Sequence, residues 1–367
     1  MCSRRARNVF YFAPLVQHHG AKDNMPGIIS NIQLAAYLAA LMSAAQPACA
    51  DAVEQFYRGK TLVAATGTGP VGTYAIYAQM IGEYMPRYLP GNPKIIFQTM
   101  PGAGGLRAVN HLYNVAPRDG TYMLVVVQTV ATDQILQRPG AKYDARRFNY
   151  IGRFADNTPV TVGWTAAGVN EPGVLKIREV LTGGTGAASP TDVWPNLMNV
   201  IAGTKFRLIS GYQGIDETAL AMQRGETHAM IGSLAMFRSG FAPYVREDKA
   251  RILVQYALKR HPAIPDVPTA GELALDASGK AIADLMAASS DIGRSLIAPP
   301  DVPPERVQAL RRAFDAVMKD PDFLREIAKR DLEVNPATGE ELHRIVEANL
   351  DVTPEIAARA RQLIDTN

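Results

Sequence analysis

Cysteine is almost absent: Cys2 and Cys49 are the only two in 367 residues, and both fall within the first fifty. That segment has basic residues at Arg4, Arg5, Arg7 and Lys22, an apolar run from Ile28 to Met42, then Gln46-Pro47-Ala48-Cys49-Ala50. The order is that of an export signal ending at a small-residue cleavage site, so residues 1–50 are expected to be removed. What remains has no thiol, which excludes a disulfide, a thiolate nucleophile and a cysteine-held metal. Long apolar runs are missing as well. The stretch 28–42 is shorter than the about 20 residues of a membrane span, and no later stretch offers one. No stable membrane insertion is expected after cleavage. The basic region is long enough for translation to start at Met25 instead, and Gln46 counts against lipid attachment at Cys49.

Neither sign of charge dominates. Four of the 38 basic residues and one of the 35 acidic ones lie in the first fifty, leaving 34 of each. The isoelectric point of about 8.7 belongs to the uncleaved chain and gives no ground for a nucleic-acid partner. His111, His228, His261 and His343 are the histidines that survive cleavage, each isolated, so no zinc site is expected. No Gly-x-Ser-x-Gly occurs, and Ser189 precedes Pro190 with no paired histidine, so no hydrolytic machinery is expected. Gly67-Thr68-Gly69-Pro70-Val71-Gly72-Thr73 lacks the lysine of a phosphate loop. No catalytic residue and no cofactor is assigned.

Glycine-rich turns are what the chain has instead. A short apolar strand at Val180 and Leu181 runs into Thr182-Gly183-Gly184-Thr185-Gly186-Ala187-Ala188, after which Ser189-Pro190-Thr191-Asp192 opens a helix. Glycines let backbone N–H groups face outward, Ser189 is a good N-cap, and proline at the first helical position loses no bond. Such a loop suits an anion, which meets unpaired donors and the positive end of the helix dipole. The same plan recurs at Gly67, Pro101 and Gly211, and loops at strand ends are where open α/β sheets bind ligands. Asp192 is expected to cap its helix rather than touch an anion.

Strands are expected at 61–66, 94–99 and 122–127 with helices between them, as in parallel βαβ units. Around Phe154–Trp164 the alternation resumes, where a first crossing between lobes is expected, Ser295–Pro300 reads as the return to lobe one, and residues 304–363 are helical. The expected organisation is 51–159 as the first part of lobe one, 160–292 as lobe two, and 293–367 as the return with the C-terminal helices.

Phe56-Tyr57-Arg58-Gly59-Lys60, Met100-Pro101-Gly102-Ala103-Gly104, Asn114-Val115-Ala116-Pro117-Arg118-Asp119-Gly120-Thr121, Gly183-Gly184-Thr185-Gly186-Ala187, Gly211-Tyr212 and His261-Pro262 with Pro265-Asp266-Val267-Pro268 form an ordered set. Together they resemble the Bug-type substrate-binding receptors of tripartite tricarboxylate transporters, over about the whole mature chain. The resemblance implies an α/β type II periplasmic binding fold, two lobes with mixed, mostly parallel sheets and a hinge. It implies a periplasmic monomer that closes on a small carboxylate and delivers it to inner-membrane transporter subunits. Carried over by position, the ligand residues would be Thr68, Gly69, Gly72, Thr73 and Tyr74, then Gly102, Ala103, Gly104 and Gly105. From lobe two come Gly186, Ala187, Ser189, Thr191 and Asp192, then Tyr212, Gln213 and Gly214. The chain departs from the family's usual residues at Ala75, Gln79 and His228. An exported enzyme acting on a small anionic metabolite, or a sensor serving a histidine kinase, are the alternatives.

Overall fold

The structure is a computed structural model that describes residues 52–365 apart from 71, 186–188, 213, 239 and 331. The expected export signal lies outside the described residues. In the first lobe, β1 (Thr61–Thr66), α1 (Thr73–Tyr84), β2 (Lys94–Thr99), α2 (Leu106–Asn114) and β3 (Tyr122–Val126) follow the predicted order. β1 lies between β2 and β3 and is parallel to both, with Val63 opposite Ile96 and Tyr122. Every residue of β3 is buried, as its unbroken apolar run requires of a strand covered on both faces.

β4 (Asn149–Ala155), β10 (Arg294–Ala298) and β11 (Ala337–Thr338) complete the sheet in the order β11-β4-β10-β3-β1-β2. The second sheet has the order β7-β6-β8-β5-β9, built from β5 (Pro159–Trp164), β6 (Val180–Gly184), β7 (Phe206–Ser210), β8 (Ala229–Ser233) and β9 (Ala250–Gln255). Among the described residues the strand pairings are five antiparallel and four parallel, so the sheets are mixed but not mostly parallel. The reason is topological. Parallel neighbours need a crossover connection, whereas β10 enters the first sheet from the other lobe and runs against both β3 and β4.

The chain leaves the first sheet at Ala155, enters the second at Pro159, and returns at Arg294. Between Pro304 and Val317 a helix buries Val307, Leu310, Phe314 and Val317 against the first sheet. Phe154 stacks on Tyr77 at 4.8 Å between centroids and meets Phe314 edge-on at 5.0 Å. A Cβ on Gly152 would lie 2.3 Å from the Phe314 ring, so that contact requires glycine.

One boundary needs correction. The helix Gly339–Leu350 packs Leu342, Val346 and Leu350 on the first lobe, but the last helix, Pro354–Asp365, does not stay there. Ala360, Ile356, Leu363 and Ile364 join Trp194, Leu197 and Ile282 of the second lobe. Asp351-Val352-Thr353 ahead of Pro354 breaks the helix and redirects its apolar stripe, adding a third tie between the lobes. No helix among the described residues is long and apolar enough to cross a membrane.

Candidate functional site

The first lobe presents its turns from the ends of β1, β2 and β3. Residues Gly102, Ala103, Gly104 and Gly105 have φ of 140°, 49°, 62° and 98°, a run that three glycines permit and Ala103 adopts at a cost. Gly67 packs against this turn so closely that a Cβ would come within 2.9 Å of the Gly105 Cα. The Thr68 hydroxyl lies 3.1 Å from that of Thr66, within its own turn. Gly69 and Gly72 have open space where a side chain would be. Gly72, at φ 98°, holds the N-cap position of α1 with no side-chain cap, and Thr73 is the first helical residue.

Tyr74 is the turn's main side chain. Burial pushes its phenol pKa up, while the Arg294 charge, the Gln128 backbone and the Asn157 side chain act in the opposite sense. The Arg294 guanidinium carbon lies 5.9 Å from the centre of the Tyr74 ring. Thr129 donates to Asp133 Oδ2 at 2.7 Å, and Arg138 Nε is 2.9 Å from Asp133 Oδ1.

In the second lobe Ser189 stands at the N-cap of the helix Pro190–Ile201, with Pro190 first, as expected. Its hydroxyl makes no cap hydrogen bond, however. It lies 2.6 Å from the Thr191 hydroxyl and donates to Asp192 Oδ1 at 3.1 Å. Thr191 Oγ1 accepts from the Thr185 N–H at 2.9 Å and donates to Asp192 Oδ1 at 3.0 Å, and Ser210 donates to Asp192 Oδ2 at 3.3 Å. Thr191 and Asp192 are 4% and 3% exposed. Thr191 and Asp192, which the resemblance places among the ligand residues, bond to each other, to Thr185 and to Ser210 and so brace the loop. Tyr212 donates its N–H to Gly184 at 3.3 Å and lays its ring along Gly183, and Gly214 precedes the helix Ile215–Gln223. Gly186, Ala187 and Gln213 lie outside the described residues.

Among the described residues, two cavities large enough for a small ligand open between the lobes. The smaller, about 350 Å³, brings Tyr74, Ala103 and Gly104 together with Gln128, Thr129 and Asn157, and Pro190 closes it from the second lobe. The larger, about 610 Å³, has Thr73, Tyr77 and Arg294 on one side and Asp216, Gln223 and Ser233 on the other. Thr68, Gly69, Gly72, Gly102, Gly105, Ser189, Thr191, Asp192, Tyr212 and Gly214 line neither. Sequence reasoning missed Gln128, Thr129, Asn157 and Arg294. A signal existed for two of them, since Gln128 and Thr129 follow the C-terminal end of a buried parallel strand, where ligands collect. Among the described residues no group of three or more histidines, cysteines and acids could hold a metal ion.

Two α/β lobes exchanging the chain across a ligand-sized gap define a protein of the periplasmic-binding-protein fold. This chain belongs to the tripartite tricarboxylate transporter family receptors, whose family model matches residues 90–360. It is 28% identical over 320 residues to the UPF0065 protein in gbd 5'region of Cupriavidus necator, covering 83% of this chain and 88% of that one. Its fold is similar to that of a TctC solute-binding protein from Polaromonas, with TM-score 0.64, 18% identity and coverage of 85% of this chain and 100% of the other. MatC from Rhodopseudomonas palustris, solved with bound malate, matches with TM-score 0.55 and 18% identity over 84% of this chain and 99% of its own.

Proposed function

We propose that the protein is exported to the periplasm by residues 1–50, captures a small carboxylate between its lobes as a monomer, and delivers it to the membrane subunits of a tripartite tricarboxylate transporter without transforming it. The carrying observation is that the gap is walled by both lobes, with Ala103 and Gly104 facing Pro190 in the smaller cavity and Thr73 and Arg294 facing Asp216 and Ser233 in the larger. An occupant touching both walls favours the closed arrangement by its differential affinity for it. The helix Pro190–Ile201 aims its positive end at the gap, which suits an anion. On this reading Thr68, Gly69, Gly72, Gly102, Gly105, Ser189, Tyr212 and Gly214, which line neither cavity, form the mouth of the gap. The malate held by MatC supports the choice of ligand class.

The test is a melting screen of the mature chain against a carboxylate library. A ligand at about a hundred times its dissociation constant adds about 2.7 kcal/mol to the folded state. A library in which no carboxylate raises the melting temperature removes this function.

A further inference from the structure

Arg294 opens the return strand and is only 8% exposed. Its guanidinium is pinned at one end, where Nη1 donates to the Asp156 carbonyl at 3.2 Å and Nη2 to Asn157 Oδ1 at 3.0 Å. Its Nε is buried and has no hydrogen-bond partner. Among the described residues no carboxylate comes within ion-pair distance of it, although eighteen such pairs form elsewhere. A buried cation is ordinarily paired, because leaving it uncompensated is strongly destabilising. Arg294 lines the larger cavity, where Thr73, first residue of α1, adds the uncapped positive end of a helix twelve residues long.

The other charges around this cavity restrict what else can enter. Arg330 is bound to Glu326 at 2.9 Å, and Glu333 is bound to Arg238 at 2.9 Å. Asp216 is exposed and has no ion-pair partner among the described residues. The remaining wall is apolar, with Ala219, Leu220, Met236, Phe241 and Leu332. One cation is therefore open to a ligand, and the open charge opposite it is negative.

We propose that Arg294 seats the ligand's carboxylate and that the ligand carries only one, a monocarboxylate whose aromatic or aliphatic body fills the larger cavity. A second carboxylate would meet Asp216 with no free cation to offset it. This rests on the receptor reading above and specifies its ligand.

Calorimetric titration of the mature chain with benzoate, hexanoate, malate and adipate tests it. Benzoate or hexanoate should bind at least about tenfold more tightly than either diacid, because an uncompensated like charge disfavours the second group. Arg294→Met should weaken the better monocarboxylate by about a hundredfold, and Arg294→Lys should restore part of the loss by keeping the charge without the planar fork. Asp216→Asn, which leaves Arg294 in place on an exposed position, should improve adipate by about threefold or more. A diacid that binds as tightly as the best monocarboxylate, an Arg294→Met chain of native circular dichroism that binds unchanged, or unaltered adipate binding by Asp216→Asn each overturns the inference and leaves the receptor reading intact. A wild-type chain that binds none of the four, and nothing in the carboxylate library, overturns both.

Discussion

Arg238, at the end of the second-lobe helix Leu234–Arg238, reaches across to Glu333 of the first lobe at 2.9 Å, bridging the lobes beside the larger cavity. The side chains are 52% and 32% exposed, so the pair acts in a water-like dielectric and contributes at most about 1 kcal/mol. That is small against the whole fold and large against a lobe-opening equilibrium, where about 1 kcal/mol is roughly a fivefold change in population. Glu333→Gln should leave the urea midpoint nearly unchanged while increasing the spin-label distance between the lobes in the ligand-free protein. Raising salt to about 0.5 M should open the wild type in the same way. A distance distribution indifferent to both changes would show that the pair does not bias closure.

The hydroxyl cluster around Asp192 gives a contrast between neighbours. Thr191 Oγ1 serves the Thr185 N–H, the Ser189 hydroxyl and Asp192 at once, whereas Ser189 is half-buried and makes no cap bond. Thr191→Val should therefore cost about 1–3 kcal/mol, since it strands a backbone donor and one bond to a buried carboxylate. Ser189→Ala should cost less than about 1 kcal/mol, below the usual value for a capping serine. Urea unfolding of the two variants decides it, and equal losses would mean that Ser189 caps the helix in solution.

What the sequence reveals and what it hides separate along physical lines. β1, β2 and β3 are legible because apolar runs end at glycine turns. The stripe Ile356, Ala360, Leu363 and Ile364 is equally visible, but a stripe shows which face is buried and not what buries it. Its partner is the second lobe, which only packing decides. Tyr74 and Arg294 meet across more than two hundred residues, so no local pattern joins them. Likewise Ser-Pro-Thr-Asp has the composition of an anion loop, yet the hydroxyl of Thr191 faces inward to satisfy Thr185 and Asp192. Two uses of one residue type were indistinguishable until the loop was folded.

His228 makes stability depend on pH. Its Nδ1 accepts the Leu181 N–H at 3.2 Å while its own N–H donates to the Leu181 carbonyl at 2.8 Å, tying β6 to the turn before β8. Burial above all, then the charge of Arg178, lowers the imidazole pKa, and Glu179 opposes them. Protonated Nδ1 could no longer accept. The unfolded chain takes up this proton near the ordinary value of about 6.5 and the folded chain only below it. The contribution is thus complete above that value and lost as pH falls toward the folded pKa. Between about pH 7.5 and about pH 5 the urea midpoint of His228→Gln should drop less than that of the wild type, because its amide does not titrate. An identical drop would assign the acid sensitivity to other groups.

Gly293 fixes how the return strand passes the outgoing crossing. It has φ 55° and ψ −137°, and a Cβ there would lie 2.2 Å from the Ala155 carbonyl oxygen and 2.7 Å from the Asp156 Cα. Both obstacles are backbone, so neither can swing away. Arg294, the next residue, bonds back to the carbonyl of Asp156, so any relief at Gly293 also displaces the guanidinium. Gly140 offers the matched control, with φ 95° and nothing within 4 Å of its notional Cβ. Gly140→Ala should cost only the left-handed backbone penalty of about 1–2 kcal/mol. Gly293→Ala adds overlap with a fixed carbonyl and should cost about 3 kcal/mol or more, or prevent folding. Should the two variants unfold at the same urea concentration, crowding is not what holds glycine at the crossing, and the position of Arg294 must be set by its hydrogen bonds alone.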